Sequence, residues 1–384
     1  MRKDSLNIQV FIKNNKMSNK QQSGFDIDLG NHCSKTAYSW AKKTFANRVG
    51  KAGEIQQKVD GSFANMLRFG DSYIGISSDG IGTKIEVAER TQIYHTIGFD
   101  LMAMVVDDLV AGGFIPTNLS NILDVDLLNH DIVDKLMQGL HDASNFADIA
   151  VTGGEIAELG NRIGGFGSNM HFNWCATAIG ALHKNLDNTI DGSQIQAGDA
   201  IMALQSRGFR SNGFSAVRRI LKKAFGENWH EEKCDCNDKN WGETVLEPSL
   251  IYTPIIARFF DEKIQVNGIA HVTGGGLADN LKRILKVNGF GATMDNLFEP
   301  HTMMKSLMNL GNLSYEQAFT YWNMAHGMLV IVPQTAVAEV EFIISKQDTY
   351  KVKNIGTITA DKAVKIKAFA IKNTTTTDMV DLEF

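Results

Sequence analysis

Short apolar runs that break into glycine-rich turns and then into helical spacing recur along this chain. That recurrence restricts its fold more than any other feature. Tyr73, Ile74 and Ile76 read as a strand leading into Ser78-Asp79-Gly80-Ile81-Gly82-Thr83-Lys84. Residues 200–204 read as a strand, followed by a loop at 208–213 and a helix with Val217, Ile220 and Leu221 on one face. Residues 269–272 run into Thr273-Gly274-Gly275-Gly276, and Leu277, Leu281 and Leu285 follow at helical spacing. Residues 149–152 read as a strand ending in the turn Gly153-Gly154-Glu155. Strands alternating with helices throughout imply an α/β (α+β) fold. The 35 glycines stand against 5 prolines, a balance that suits loops needing open backbone near a ligand rather than flexible linkers.

The 384 residues suggest two domains. The turn-rich stretch around 181–198 divides an N-terminal domain at 21–185 from a C-terminal α/β domain at 186–372, with polar tails at 1–20 and 373–384. Residues 226–246 are charged and read as a surface insertion, and residues 30–48, 96–111 and 131–146 read as helices. The formal net charge of −5 argues against general nucleic-acid binding but leaves room for a small phosphorylated ligand. No apolar run approaches the ~18 residues of a membrane span, and the basic start carries no signal-peptide pattern. Cys33, Cys175, Cys234 and Cys236 are too few and scattered for a disulfide framework, which fits a reducing cytoplasm. Cys234-Asp235-Cys236 after His230 is either a weak metal site or part of a solvated acidic insertion.

Five segments carry candidate chemistry. In Asp79-Gly80-Ile81-Gly82-Thr83-Lys84 the glycines let amides approach an anion, Lys84 adds charge and Asp79 suits magnesium; the alternative is a hairpin turn. Asp107-Asp108 lies on a helix apolar nearly all round, where carboxylates either bind a cation or meet arginine and backbone amides. Gly153-Gly154-Glu155 offers a further cation ligand or a capping carboxylate. The segments Arg210-Ser211-Asn212-Gly213 and His271-Val272-Thr273-Gly274-Gly275-Gly276 place free amides at helix N-termini, where anions bind. Arg210 and His271 add charge or proton transfer.

In this order and spacing the segments resemble phosphoribosylformylglycinamidine cyclo-ligases, also called aminoimidazole ribonucleotide synthetases, over about residues 23–358. Gly24-Phe25-Asp26-Ile27-Asp28-Leu29-Gly30-Asn31 resembles the family's G-V-D-I-x-x-G-N, and Ser78–Lys84 its T-D-G-V-G-T-K. Ile97–Met104 with Asp107-Asp108-Leu109 resembles I-G-x-D-L-V-A-M…N-D-L, and Gly153–Glu158 resembles G-G-E-T-A-E. Ser211–Ser215 resembles S-N-G-[YF]-S, and Ala270–Gly276 resembles A-H-[LI]-T-G-G-G. The resemblance implies a homodimer whose N-terminal domains build a β-barrel together. It also implies ATP and Mg2+ as cofactors and formylglycinamidine ribonucleotide as the substrate, in purine synthesis. It further implies that Asp79, Asp107, Asp108 and Glu155 serve the metal or phosphate, and that Gly80, Gly82, Thr83, Lys84, Gly153, Gly154, Arg210, Ser211, Asn212, Gly213 and Thr273 to Gly276 hold phosphate. Lys84 and His271 would be catalytic. Four positions depart from the pattern. Asp60-Gly61-Ser62-Phe63-Ala64 stands for G-G-F-G, Asp107 for the N-D-L asparagine, and Arg210 for the H-S-N-G histidine. The F-N-M-G-x-G-M stretch reads Trp322-Asn323-Met324-Ala325-His326-Gly327-Met328. Arginine is no base near neutral pH, so proton transfer falls to His271 or His326. The alternatives are another ATP-dependent member of the superfamily or a non-catalytic nucleotide-binding paralogue.

Overall fold

The computed structural model describes residues 27–56, 63–369 and 379–384. It divides into one unit at 1–47 and another at 48–384. The first is described by the helix Ile27–Thr44, where helical spacing is expected; Lys42 and Lys43 lie in its last turn, at the negative end of the helix dipole. The expected tail at 1–20, the Gly24-Phe25-Asp26 start of the first motif, and Asp60 to Ser62 lie outside the described residues.

Two sheets organise the second unit. The first contains β1 (Glu54–Ile55), β2 (Asn65–Phe69), β3 (Ser72–Gly80), β4 (Phe114–Val125), β5 (Ala150–Glu158) and β6 (Phe172–Leu182). Their order is β1-β2-β3-β6-β4-β5. Only β4 and β5 pair in parallel. The second sheet contains β7 (Ala200–Gln205), β8 (Gly268–His271), β9 (Gly291–Met294), β10 (His326–Val332), β11 (Val352–Thr359), β12 (Val364–Phe369) and β13 (Met379–Glu383). Its order is β13-β12-β9-β11-β7-β10-β8. Strands of the first sheet end at Leu182 and those of the second begin at Ala200.

The helix Ile97–Ala111 lies at the centre of this unit. It packs on β3, β4 and β6 of the first sheet, and on β8 and the helix Thr253–Asp261 beside the second. A helix apolar nearly all round must be enclosed, and Ile97, Leu101, Met102, Val105, Val106 and Leu109 are all fully buried. It crosses the helix His130–Ala147 at backbone distance, because a Cβ on Gly98 would fall 2.2 Å from Leu140 N and one on Gly139 would fall 1.8 Å from His95 O. Asn129 fixes the start of His130–Ala147, its Oδ1 accepting the amides of Asp131 and Ile132.

Within one chain the first sheet is open, edged by β1 and β5. Three expectations are corrected. Gly153-Gly154-Glu155 is not a turn: β5 continues to Glu158 because β4 offers it a parallel partner throughout. Residues 226–246 are no mere surface insertion, since Trp229, Cys234, Trp241, Val245 and Leu246 are buried. The expected tail at 373–384 ends in β13, which pairs antiparallel with β12 from Lys365–Glu383 to Phe369–Met379.

Candidate active site

Three of the glycine loops share a border. A Cβ on Gly82 would lie 4.0 Å from Ser211 O, and one on Gly274 would lie 3.7 Å from Asn212 Oδ1. Thr83 Oγ1 and Ser215 Oγ are 3.5 Å apart. Two helices begin here, Phe214–Phe225 and Gly276–Leu285, so their unpaired first amides face the same region. Gly276 has φ +69°, and a Cβ there would fall 1.8 Å from Phe319 O; glycine is required on both counts. Asn280 ties the loop to its helix, donating Nδ2 to Gly276 O at 2.7 Å and Gly274 O at 3.2 Å. Thr273 Oγ1 lies 3.4 Å from Asn280 Oδ1. Ser211 Oγ is buried without a partner, and Asn212 Nδ2 reaches Met104 Sδ at 3.5 Å.

The two cations assigned to phosphate are engaged elsewhere. Lys84 is fully buried; its Nζ lies 2.8 Å from the equally buried Asp100 carboxylate and donates to Glu247 O at 2.7 Å. Ser249 donates its amide to Asp100 at 3.1 Å and its hydroxyl to the same oxygen. Burial pushes the Lys84 ammonium down and the Asp100 carboxyl up, and their mutual attraction opposes both shifts. Arg210, at φ +60°, is also enclosed. It donates to Asp107 at 2.7 Å, to Gly327 O at 3.1 Å and to Leu250 O at 3.4 Å, and stacks 4.9 Å from the Tyr252 ring centre.

Asp107, expected as a metal ligand, is saturated by protein donors. Besides Arg210 it accepts the amides of Tyr252 and Thr253, both at 2.9 Å, and the Thr253 hydroxyl at 3.1 Å. These amides open the helix Thr253–Asp261, whose positive end favours a carboxylate. Burial raises the Asp107 carboxyl, against the opposing pull of Arg210. Thus, of the two readings left open for Asp107-Asp108, arginine and backbone amides describe Asp107.

Asp108 and Asp79 differ. Asp108 Oδ1 is 2.7 Å from His271 Nδ1, and Ser77 Oγ donates to Oδ2 at 3.4 Å. Burial pushes the Asp108 carboxyl up to about 7, with Arg283 opposing the shift. Asp79 keeps solvent contact, yet the surrounding protein pushes it up to about 6; the Gly80 amide at 2.7 Å opposes this, while the Asp108 charge adds to it. Two carboxylates without enough cationic compensation form a hard oxygen donor set, which fits Mg2+. His271 is fully buried, and burial with the Arg210 charge holds its imidazole well below the usual histidine range. In the neutral ring, Nδ1–H donates to Asp108 and leaves Nε2 as an acceptor, buried without a partner.

Glu155, Gly153 and Gly154 stand apart within one chain. The cross-strand row through Asp79 continues through Ala176 and Asn121 to Gly154, and the next row ends at Glu155. Three strand spacings put Glu155 about 14 Å from the Asp79 strand position. His326, the other candidate for proton transfer, accepts the Phe298 amide at 3.0 Å through Nε2, and burial pushes it down to about 4. Sequence reading missed Asp100, Ser249, Tyr252 and Thr253. Asp100 carried a signal: it precedes Asp107 by seven residues and so shares its helical face.

Comparison with known proteins decides the family. Residues 61–182 match the AIR synthase related protein N-terminal domain, and residues 196–368 match the C-terminal domain of the same description. The phosphoribosylformylglycinamidine cyclo-ligase of Thermococcus kodakarensis is 32% identical over 351 residues, covering 91% of this chain and 98% of that one. The chain belongs to the phosphoribosylformylglycinamidine cyclo-ligase family. Solved structures agree on its two-domain α/β fold. The HypE-HypF complex superposes with TM-score 0.58 at 15% identity, over 82% of this chain and 92% of that chain. AaThiL complexed with AMPPCP and TMP superposes with TM-score 0.56 at 14% identity, over 81% and 89%. Among the described residues, no helix is long and apolar enough to cross a membrane.

Proposed function

We propose that this cyclo-ligase family member converts formylglycinamidine ribonucleotide and ATP into aminoimidazole ribonucleotide, ADP and phosphate, in the cytoplasm. The observation that carries the reading is near-full-length similarity to named cyclo-ligases, combined with the meeting of their motif loops at Asp79, Asp108 and His271. The formyl oxygen is a poor leaving group. Attack of that oxygen on the γ-phosphorus of ATP expels ADP and makes it a phosphate ester. The amidine nitrogen then bonds to the activated carbon, the carbon–oxygen bond breaks, and phosphate departs with its electron pair.

The chain's own groups divide this work. Asp79 and Asp108 hold Mg2+, which supplies charge neutralisation at the transferring phosphate. The amides at the starts of Phe214–Phe225 and Gly276–Leu285, with the 79–83 turn, bind phosphate oxygens. His271 Nε2 accepts the proton lost by the attacking nitrogen, while Asp108 fixes its Nδ1–H tautomer. Lys84 and Arg210 hold the scaffold through Asp100 and Asp107 rather than reaching phosphate.

The same reading includes a homodimer. Ile122 and Ile179, on adjacent strands and the same outward face of the first sheet, are 48% and 40% exposed. A second copy laid against these strands would cover them and complete the family's barrel. Purified protein given formylglycinamidine ribonucleotide, ATP and magnesium should form aminoimidazole ribonucleotide and ADP in equal amounts. Nucleotide binding without imidazole product at any magnesium concentration would instead support a non-catalytic paralogue.

A further inference from the structure

Cys234 and Cys236 are joined by a disulfide across a single residue, with Cα atoms 5.3 Å apart. The two sulfurs occupy different surroundings. Cys234 is 1% exposed and belongs to the hydrophobic core. Cys236 is partly exposed and lines a cavity of about 220 Å³, together with Arg207, Lys239, Glu247 and His301. The loop that carries them is closed by Cys234 N–H donating to Lys239 O at 2.9 Å and by the bridge between Lys233 and Asn240. Asn237 Oδ1 accepts the Lys239 amide at 2.9 Å and the Thr244 hydroxyl at 3.1 Å. The sulfurs therefore stay adjacent whether or not they are bonded. The Cys236 amide also points at Cys234 Sγ, 3.3 Å away.

We propose that Cys234–Cys236 is a thiol–disulfide exchange site for low-molecular-weight thiols, with Cys236 as the sulfur that is attacked. A small thiolate enters the cavity, where Arg207 and Lys239 offset its charge and that of Glu247, and bonds to Cys236 Sγ. The Cys234–Cys236 bond breaks, and its electron pair leaves on Cys234 as a thiolate that accepts the Cys236 amide. A second thiolate attacks the sulfur of the bound thiol, which releases Cys236 as a thiolate. Two thiols are oxidised to one disulfide, the protein pair is reduced to a dithiol, and protons from solvent complete it. Attack on Cys234 is blocked by the packing around it.

The test uses the full chain, with glutathione as the thiol probe and peptide mass mapping after acid quench. Wild-type protein equilibrated with glutathione disulfide should carry the 234–236 disulfide, and reduced glutathione should convert it to two thiols without unfolding. Cys234→Ser treated with glutathione disulfide should accumulate the adduct on Cys236. Cys236→Ser should accumulate about tenfold less on Cys234. If the core substitution at 234 prevents folding, competitive alkylation of reduced wild-type protein gives the same comparison, with Cys236 expected about tenfold faster. Equal modification of both sulfurs would overturn the assignment. So would a pair that stays unbonded in glutathione disulfide, or one reducible only after denaturation.

Discussion

Two of the positions that depart from the family pattern touch each other. Asp107 stands where the pattern has asparagine and Arg210 where it has histidine. They are 103 residues apart in sequence, yet form a buried ion pair at 2.7 Å. Asp107→Asn removes the charge and keeps one acceptor for the Tyr252 and Thr253 amides, but turns an amide towards a buried guanidinium. Arg210→His leaves Asp107 charged and short of its cation. Breaking one side of a buried pair costs about 3–5 kcal/mol, because the remaining charge stays enclosed. The double variant Asp107→Asn/Arg210→His strands no charge and restores the family's own pair. Its destabilisation should therefore fall below the sum of the single variants by about 2–3 kcal/mol, the coupling expected of contacting residues. Urea unfolding of the four proteins, followed by tryptophan fluorescence at pH 7.5, measures this through the transition midpoints. Additivity to within about 0.5 kcal/mol would refute the compensated-pair argument.

Three further outcomes follow from the same geometry. Asp79 and Asp108 have folded-state values raised to about 6 and about 7, above those of the unfolded chain, so their contribution to stability is present at low pH and lost as pH rises through that window. Magnesium must displace protons there, so calorimetry should show Mg-ATP affinity rising from pH 5.5 to 7.5 with proton release; a flat profile would count against these ligands, as would unchanged affinity of Asp108→Asn at limiting magnesium. Gly276→Ala meets Phe319 O and a positive φ at once, and should lower stability by roughly 2–4 kcal/mol while weakening nucleotide binding; wild-type behaviour in both assays would contradict the loop's geometry. Ile122→Lys/Ile179→Lys places charges on the exposed face of the first sheet and should yield monomers in sedimentation experiments; an unaltered mass would remove that face from the proposed dimer.

Much of the fold was legible because its signals are local. Helical periodicity gave Ile97–Ala111 and His130–Ala147 nearly to the residue, and the apolar coverage of the former announced its central burial. Gly153-Gly154 misled because glycines after an apolar run look like a turn. What kept them in a strand was β4, whose pairing no local pattern displays. The insertion at 226–246 misled in the same way: its charges are local, whereas Trp229 and Trp241 are buried by elements far along the chain. At the site, sequence singled out Asp79, Asp108 and His271, but could not show which carboxylate each cation would choose. Lys84 found Asp100 and Arg210 found Asp107, both on the same helical face.

That choice changes how the site must work. A lysine and an arginine beside glycine loops invite a reading in which side-chain charge binds phosphate. Here both are sealed, and each joins the helix Ile97–Ala111 to the segment 247–253: Lys84 and Asp100 through Glu247 O and Ser249, Arg210 and Asp107 through Leu250 O, Tyr252 and Thr253. Such buried pairs add little net stability, but they penalise any arrangement that separates their members. They therefore hold the two halves in register, so that loops from residues 79–84, 208–213 and 273–276 meet. In the proposed reaction, phosphate recognition would then fall to backbone amides and helix N-termini. These need no side-chain charge but do need close approach, which is why the glycines concentrate where strands pass into helices.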